Sequence, residues 1–206
     1  MDTASTVAAL APADTHAAGD VLARAFHNDP GTVWTVPDED KRRRHLPWFF
    51  RGCVRYGQRY GEAYALGAGV EGAAVWLPPG KTQARLLRFI RVGLGALPLK
   101  LGAADFLRLF RTLSFLEQLH KRDAPPDHWY LWVLGVDTGL QGRGLGSALI
   151  QPVLARADRD GLSCYLETAK EINVRFYRKH GFEVVAEGDL PGGGPPYWTM
   201  RRDPIR

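Results

Sequence analysis

Three glycines spaced two apart, Gly142, Gly144 and Gly146, stand in the run Gln141-Gly142-Arg143-Gly144-Leu145-Gly146-Ser147, directly after an apolar stretch from Trp129 to Val136. Glycine lets backbone approach a ligand closely, and a helix opening at such a turn presents free amide donors to an anion. Arg143 adds a full positive charge. The chemistry this suits is cradling a pyrophosphate at a strand-to-helix turn, although a tight turn without ligand uses glycine in the same way. A dinucleotide fingerprint counted from Gly142 needs glycine where Ser147 stands, and no Gly-Lys-Ser or Gly-Lys-Thr completes a P-loop. Ser147 is no nucleophile elbow either, because Leu145 occupies the first glycine position of Gly-x-Ser-x-Gly. The six histidines are scattered outside any HExxH, and two cysteines cannot build a zinc cluster, so no metal site is expected.

The elements that must position this loop follow from periodicity. Trp129 to Val136 reads as the strand before it, Ser163 to Thr168 as the next strand, and Asn173 to Phe182 as a short helix closed by Gly181. Residues four apart share one helix face, so Asn173 and Tyr177 can look at one ligand; a core tyrosine is the other reading of Tyr177. Upstream, Ala11 to Phe26 reads as an entry and a helix with Asp14 as N-cap, ended by Asp29-Pro30. A second helical pattern carries Leu46, Phe49, Phe50, Cys53 and Val54, with Pro47 in its first turn or kinking it, and stops at Gly57 to Gly61. Glu62 to Leu66 and Ala73 to Leu77 read as a hairpin around the turn Gly67 to Gly72. From Lys81 to Arg122 the pattern is helical, divided by Gly93, Gly95, Pro98 and Gly102 into at least two helices. Strands near Glu183 to Glu187 and Tyr197 to Arg201 close the chain. The expectation is an α/β (α+β) fold: one domain over residues 1–206, a mixed and mainly antiparallel sheet flanked by helices, and a helical insertion at 81–122.

With 45% apolar and 24% charged residues the chain has the composition of a soluble globular protein. No basic leader with an apolar core precedes a cleavage site, so a cytoplasmic protein is expected. Arg88, Arg91, Lys100, Asp105 and Arg108 break the apolar region 89–101 and its flanks, which argues against a membrane span, while interfacial contact, a substrate lid and a dimer surface stay open there. The net charge of +5 gathers partly in Lys41-Arg42-Arg43-Arg44, read as a solvated helix face rather than a nucleic-acid site, since no nucleic-acid module accompanies it. Cys53 and Cys164 fall in apolar contexts and read as buried thiols rather than a disulfide.

The pattern Gln-x-x-Gly-x-Gly after an apolar strand resembles the acetyl-CoA motif of the GCN5-related N-acetyltransferases (GNAT), and the likeness looks closest to the puromycin N-acetyltransferase-like group. Leu166-Glu167-Thr168, Phe176-Tyr177, Gly181-Phe182 and Trp198-Thr199-Met200 share in it, as do Ala23-Arg24-Ala25-Phe26 and Ala73-Ala74-Val75-Trp76. It is strong from Trp129 onward, fair over the first 80 residues and weak in the insertion; Gln141 stands where the family usually has arginine. The resemblance implies a GNAT-type fold and acetyl-CoA as cosubstrate, its pyrophosphate held by Gln141, Gly142, Arg143, Gly144, Leu145, Gly146 and Ser147. Backbone amides near Leu134, Gly135 and Val136 would hold the pantetheine, Asn173 would touch the pantetheine or pyrophosphate, and Tyr177 would act as general acid on the thiolate. Glu167, His27 or Asp29 could serve as base, with a water relay equally open, and Trp34 and Trp76 join His27 and Asp29 as candidate acceptor-site residues. The implied partner is a small-molecule amine, for an enzyme that is a monomer or homodimer. A protein lysine or N-terminal acetyltransferase, and a non-catalytic acyl-CoA sensor, are the alternatives.

Overall fold

The computed structural model describes residues 6–67, 69–83 and 85–205; Ala68 of the expected turn and Ala84 of the expected helical segment lie outside the described residues. Seven strands form one sheet in the order β1-β2-β3-β4-β5-β7-β6. They are β1 (Val7–Ala9), β2 (Glu62–Leu66), β3 (Gly72–Leu77), β4 (His128–Val136), β5 (Ser163–Thr168), β6 (Glu183–Asp189) and β7 (Pro196–Arg202). Every neighbouring pair is antiparallel except β4 and β5. The mixed, mainly antiparallel sheet thus matches the fold expected, and the short edge strand β1 is an addition to it.

Helices cover both faces. On one, α1 (Thr15–Phe26) and α3 (Glu39–Tyr60) pack Leu22, Phe50 and Val54 against Val75 and Val133. On the other, α7 (Leu145–Asp160) and α8 (Glu171–Arg178) bury Ile150, Val153, Val174 and Tyr177 against Trp76, Leu131 and Leu166. Gly135 of β4 permits the close seating of α1, because a Cβ there would come within 2.8 Å of Leu22 and 3.0 Å of Ala25.

Three expectations need correction. Asp29-Pro30 does not simply stop the first helix: it opens α2 (Pro30–Thr35), where the Asp29 carboxylate accepts from the amides of Gly31 (3.0 Å) and Thr32 (3.3 Å) and Pro30 takes the first-turn place that needs no N–H. Pro47 lies inside α3 rather than in its first turn, which is instead capped by Asp38 accepting from the Lys41 amide at 2.9 Å. The run Lys41–Arg44 is not a uniformly solvated face. Arg42 is buried and donates to the carbonyls of His27, Val36 and Pro37, tying α1, α2 and α3 together, and Lys41 pairs with Asp105 at 2.8 Å.

The 81–122 region holds three helices, α4 (Leu86–Arg91), α5 (Leu97–Leu101) and α6 (Ala103–Asp123). α6 crosses the β7 side of the sheet, anchored where Thr199 donates to Asp123 at 2.8 Å and where His120 Nε2 meets His128 Nε2 at 2.7 Å. Both cysteines are free and buried, and burial pushes their thiols up, leaving them protonated and inert.

Candidate active site

β4 and β5 pair only at their start, through His128 with Ser163, Trp129 with Cys164 and Tyr130 with Tyr165. Beyond that point β4 stays with β3 as far as Val136 and β5 stays with β7 as far as Thr168, so the two strands part and open a wedge in the sheet. Side-chain alternation along β4 also shifts there. Val75 faces Val133 while Trp76 faces Leu131, which leaves Trp132 as the extra residue of a bulge. Leu131 therefore packs on the α7 side, Val133 on the α1–α3 side, and Leu134 and Val136 again on the α7 side. Alternate residues of an antiparallel strand direct their N–H and C=O to opposite edges, so every second backbone unit of 133–136 opens into the wedge.

At the mouth of the wedge lies the glycine loop. Gly142 and Gly144 have φ of +79° and +82°, in the left-handed region, and a Cβ at either would meet open space. Gly144 is the N-cap of α7 and brings no side chain to its first-turn amides, which leaves them free for an anion. Gln141 donates to the Val136 carbonyl at 3.2 Å and closes the loop onto β4, Arg143 is exposed, and Leu145 and Gly146 begin the helix. Ser147 shares a hydrogen bond of 2.9 Å with His180. This cradle of open, donor-rich backbone fits a pyrophosphate. Gly144→Asn keeps the left-handed turn while filling the cradle, and is expected to raise the CoA dissociation constant about 10-fold at little cost to Tm; calorimetric titration with CoA checks it.

α8 supplies one wall. The Asn173 amide donates to Thr168 Oγ1 at 2.9 Å, fixing the helix start against the end of β5. Tyr177, one turn on, is 7% exposed and packs edge-on to Phe176 and Phe182. Burial, and secondarily the Asp29 carboxylate, push its hydroxyl well above the ordinary phenol range. Asp29 is itself nearly buried and pairs with Lys170 at 3.3 Å, so the α1–α2 and β5–α8 loops meet beside Tyr177.

Glu167 sits on the opposite face of β5, toward α6. Its Oε2 accepts from the Tyr130 hydroxyl at 2.7 Å, while its Oε1 is buried with no hydrogen-bond partner, as is the Tyr165 hydroxyl. Burial raises the carboxyl to about 7 against the pull of the tyrosine hydroxyl. Spacing alone singles out neither Tyr130 nor Lys170. Tyr130 becomes visible only once β4 and β5 are paired.

The other candidates separate. Trp76 has no exposed surface and belongs to the core on the α7 side, which removes it from any acceptor wall: every residue of β3 is buried, so an aromatic there packs. Trp34 is wedged among Phe115, Leu116, Leu190 and Tyr197 with the Arg108 guanidinium 5.7 Å from its ring centre, joining α2, α6 and the β6–β7 loop. The imidazole of His27 turns toward Glu39 at 3.7 Å, on α3. Trp132, at the bulge, stands against Tyr56 and Phe89. Among the described residues no three His, Cys, Asp or Glu side chains gather as metal ligands, and no helix is long and apolar enough to cross a membrane.

Residues 109–182, which contain β4, the glycine loop and α8, match the Acetyltransferase (GNAT) family. An uncharacterized N-acetyltransferase of Schizosaccharomyces pombe is 29% identical over 170 residues, covering 78% of this chain and 67% of that protein. Two solved structures share the fold. One is described as histone acetyltransferase HPA2 and related acetyltransferase from Corynebacterium glutamicum, with a TM-score of 0.69 and 23% identity over 99% of this chain and 98% of that one. The other is arylalkylamine N-acetyltransferase 2 from Aedes aegypti, with a TM-score of 0.68 and 13% identity over 96% of this chain and 97% of that one. The wedge and the glycine-lined start of α7 thus lie within the segment that matches the GNAT family, in a chain whose fold both solved acetyltransferase structures share.

Proposed function

We propose that the protein transfers an acetyl group from acetyl-CoA to the primary amine of a small molecule, within one catalytic domain whose acceptor side is covered by the 81–122 helices. The observation that carries this reading is the wedge between β4 and β5, with Tyr177 on the α8 face of the sheet and Glu167 on the α6 face. The entering amine and the departing thiolate are separate substituents of one tetrahedral carbon and need separate proton-transfer groups, and the two candidates stand on separate faces of the sheet.

Acetyl-CoA supplies the activated acetyl thioester. Gln141 to Ser147 hold its pyrophosphate, Asn173 its arm, and the free backbone units among Leu134, Gly135 and Val136 hold the pantetheine and donate to the carbonyl oxygen as charge grows there. Glu167 accepts a proton from the amine, whose neutral form is the nucleophile. Tyr177 gives its proton to the departing thiolate sulfur. Glu167 then releases its proton to solvent and the Tyr177 oxygen takes one back, so that both groups return to their starting states.

Two features support a small acceptor over a protein. α6 lies over the β5–β7 half of the acceptor face, held through Trp34, Phe115 and Tyr197, where a peptide would need an open groove. The chain is also basic, with a net charge of +5, which disfavours lysine-rich substrates. The aromatic group Trp132, Tyr56 and Phe89 beside the bulge favours a bulky amphipathic amine, an aminonucleoside or another antibiotic-like amine. Thiol release from acetyl-CoA is the test, screened against puromycin, arylalkylamines, polyamines, aminoglycosides and basic peptides. Release with one small amine is expected; release only with peptides, or binding of CoA with no release at all, overturns the reading.

A further inference from the structure

Residues 81–122 carry nine Lys and Arg against two Asp and Glu, a net +7, so the rest of a chain totalling +5 sums to −2. The same helices expose large apolar side chains that the core does not use: Leu86 (75% exposed), Leu87 (66%), Ile90 (51%) and Leu99 (89%). On α4 the two properties coincide, since Leu86, Leu87 and Ile90 are interleaved with Arg85, Arg88 and Arg91. An open depression of about 590 Å³ is lined by these arginines, Leu86, Leu87 and Tyr60, and a second, sharing Arg91, is lined by Arg55, Arg59 and Gln58 at the end of α3. The guanidinium groups of Arg88 and Arg59 lie 5.0 and 5.7 Å from the Tyr60 ring centre. None of the ion pairs among the described residues includes Arg59, Arg85, Arg88 or Arg91, and Arg88 Nη1 is buried without a hydrogen-bond partner.

Unneutralised guanidinium groups call for anions, and leucines beside them call for an apolar medium. A lipid bilayer of negative charge supplies both at once, with phosphates at headgroup level and acyl chains just beneath. A second copy of this face would bring like charge against like, and a nucleic acid would leave Leu86, Leu87 and Ile90 uncovered. We propose that α4 and the adjoining end of α3 form a docking surface for an anionic phospholipid bilayer. This is independent of the acyl-transfer reading, since none of these residues lines the wedge.

Co-sedimentation of the full chain with phosphatidylcholine vesicles, and with vesicles containing about 30 mol% phosphatidylserine at about 0.1 M salt, tests it. Binding to the anionic vesicles alone is expected. Arg85→Glu with Arg91→Glu should weaken it by at least about 30-fold, and Leu86→Ser with Leu87→Ser by about 10-fold, with acetyl transfer unchanged because all four side chains are exposed. The proposal is overturned by absence of binding to anionic vesicles, by variants that bind as the parent does, or by a dimer in sedimentation velocity that the leucine variant dissolves. It is also overturned if heparin binds equally to the parent and the leucine variant while vesicles do not bind.

Discussion

Glu167→Gln is expected to lower kcat/KM by about 10³-fold at pH 8 and to remove the bend in its pH profile near pH 7. The carboxyl is held at about 7 because burial penalises its charged form more than the Tyr130 hydroxyl stabilises it. A base at that value is half ionised at neutral pH, so below about 7 activity of the parent should fall by a further factor of roughly ten per pH unit, on top of any slope the acceptor amine contributes. The acceptor amine must also lose a proton, but its limb lies higher in pH and is common to both proteins, so the difference between them isolates Glu167. Stability gives a second, independent readout with a definite sign. A carboxyl raised from 4.5 to about 7 on folding binds its proton more tightly in the folded state. The parent therefore loses stability as pH rises from about 4.5 to about 7, at a slope of at most about 1.4 kcal/mol per pH unit, and keeps that deficit above. Glutamine carries no such charge, so the variant should gain on the parent by up to about 3 kcal/mol at pH 8 and by less than about 1 kcal/mol at pH 5. A variant that is more stable yet inactive rules out unfolding as the cause of the loss. An unchanged pH profile would assign the base to a water relay or to Asp29.

What is legible in the sequence is what local physics decides. The glycine loop can be read because a positive φ and an approachable backbone are demands on single residues, and Gly142 and Gly144 meet both. Strand β5 reads with its limits, since its alternation and flanking turn signals are local. Asp29-Pro30 reads as a stop because Asp and Pro mark helix ends and helix starts alike, and only the accepting geometry of the carboxylate tells them apart. Arg42 reads as solvated until three carbonyls from positions 27, 36 and 37 are brought around it. The same non-locality hides the chemistry of Glu167. Its partner Tyr130 is 37 residues away and arrives only through a parallel pairing that lasts three residues. Trp76 misleads for the opposite reason: in a strand buried on both faces, no period separates an aromatic of the core from one of a pocket.

Tyr177→Phe should lower kcat by about 10²-fold and leave the CoA dissociation constant within about twofold of the parent. The ring itself is a core element, packed against Phe176 and Phe182, and phenylalanine preserves those contacts, so the fold and the α8 wall should survive. Only the proton is removed. Burial and the neighbouring Asp29 hold the hydroxyl protonated throughout the physiological range, the state a general acid needs before negative charge appears on sulfur. The decisive measurement varies the thiol. With an acetyl thioester of a more acidic thiol, departure needs less help from a proton, and the deficit of the variant should shrink toward parity as the thiol pKa falls. A purely structural tyrosine predicts a deficit that is the same for every thiol. A second substitution ties the hydroxyl to its surroundings: Asp29→Asn removes the carboxylate that raises Tyr177, and also the partner of Lys170. Because Asn still caps α2, the fold should hold, and the Asp29→Asn protein should keep most of its turnover if Tyr177 is the acid, while losing it if Asp29 is the base.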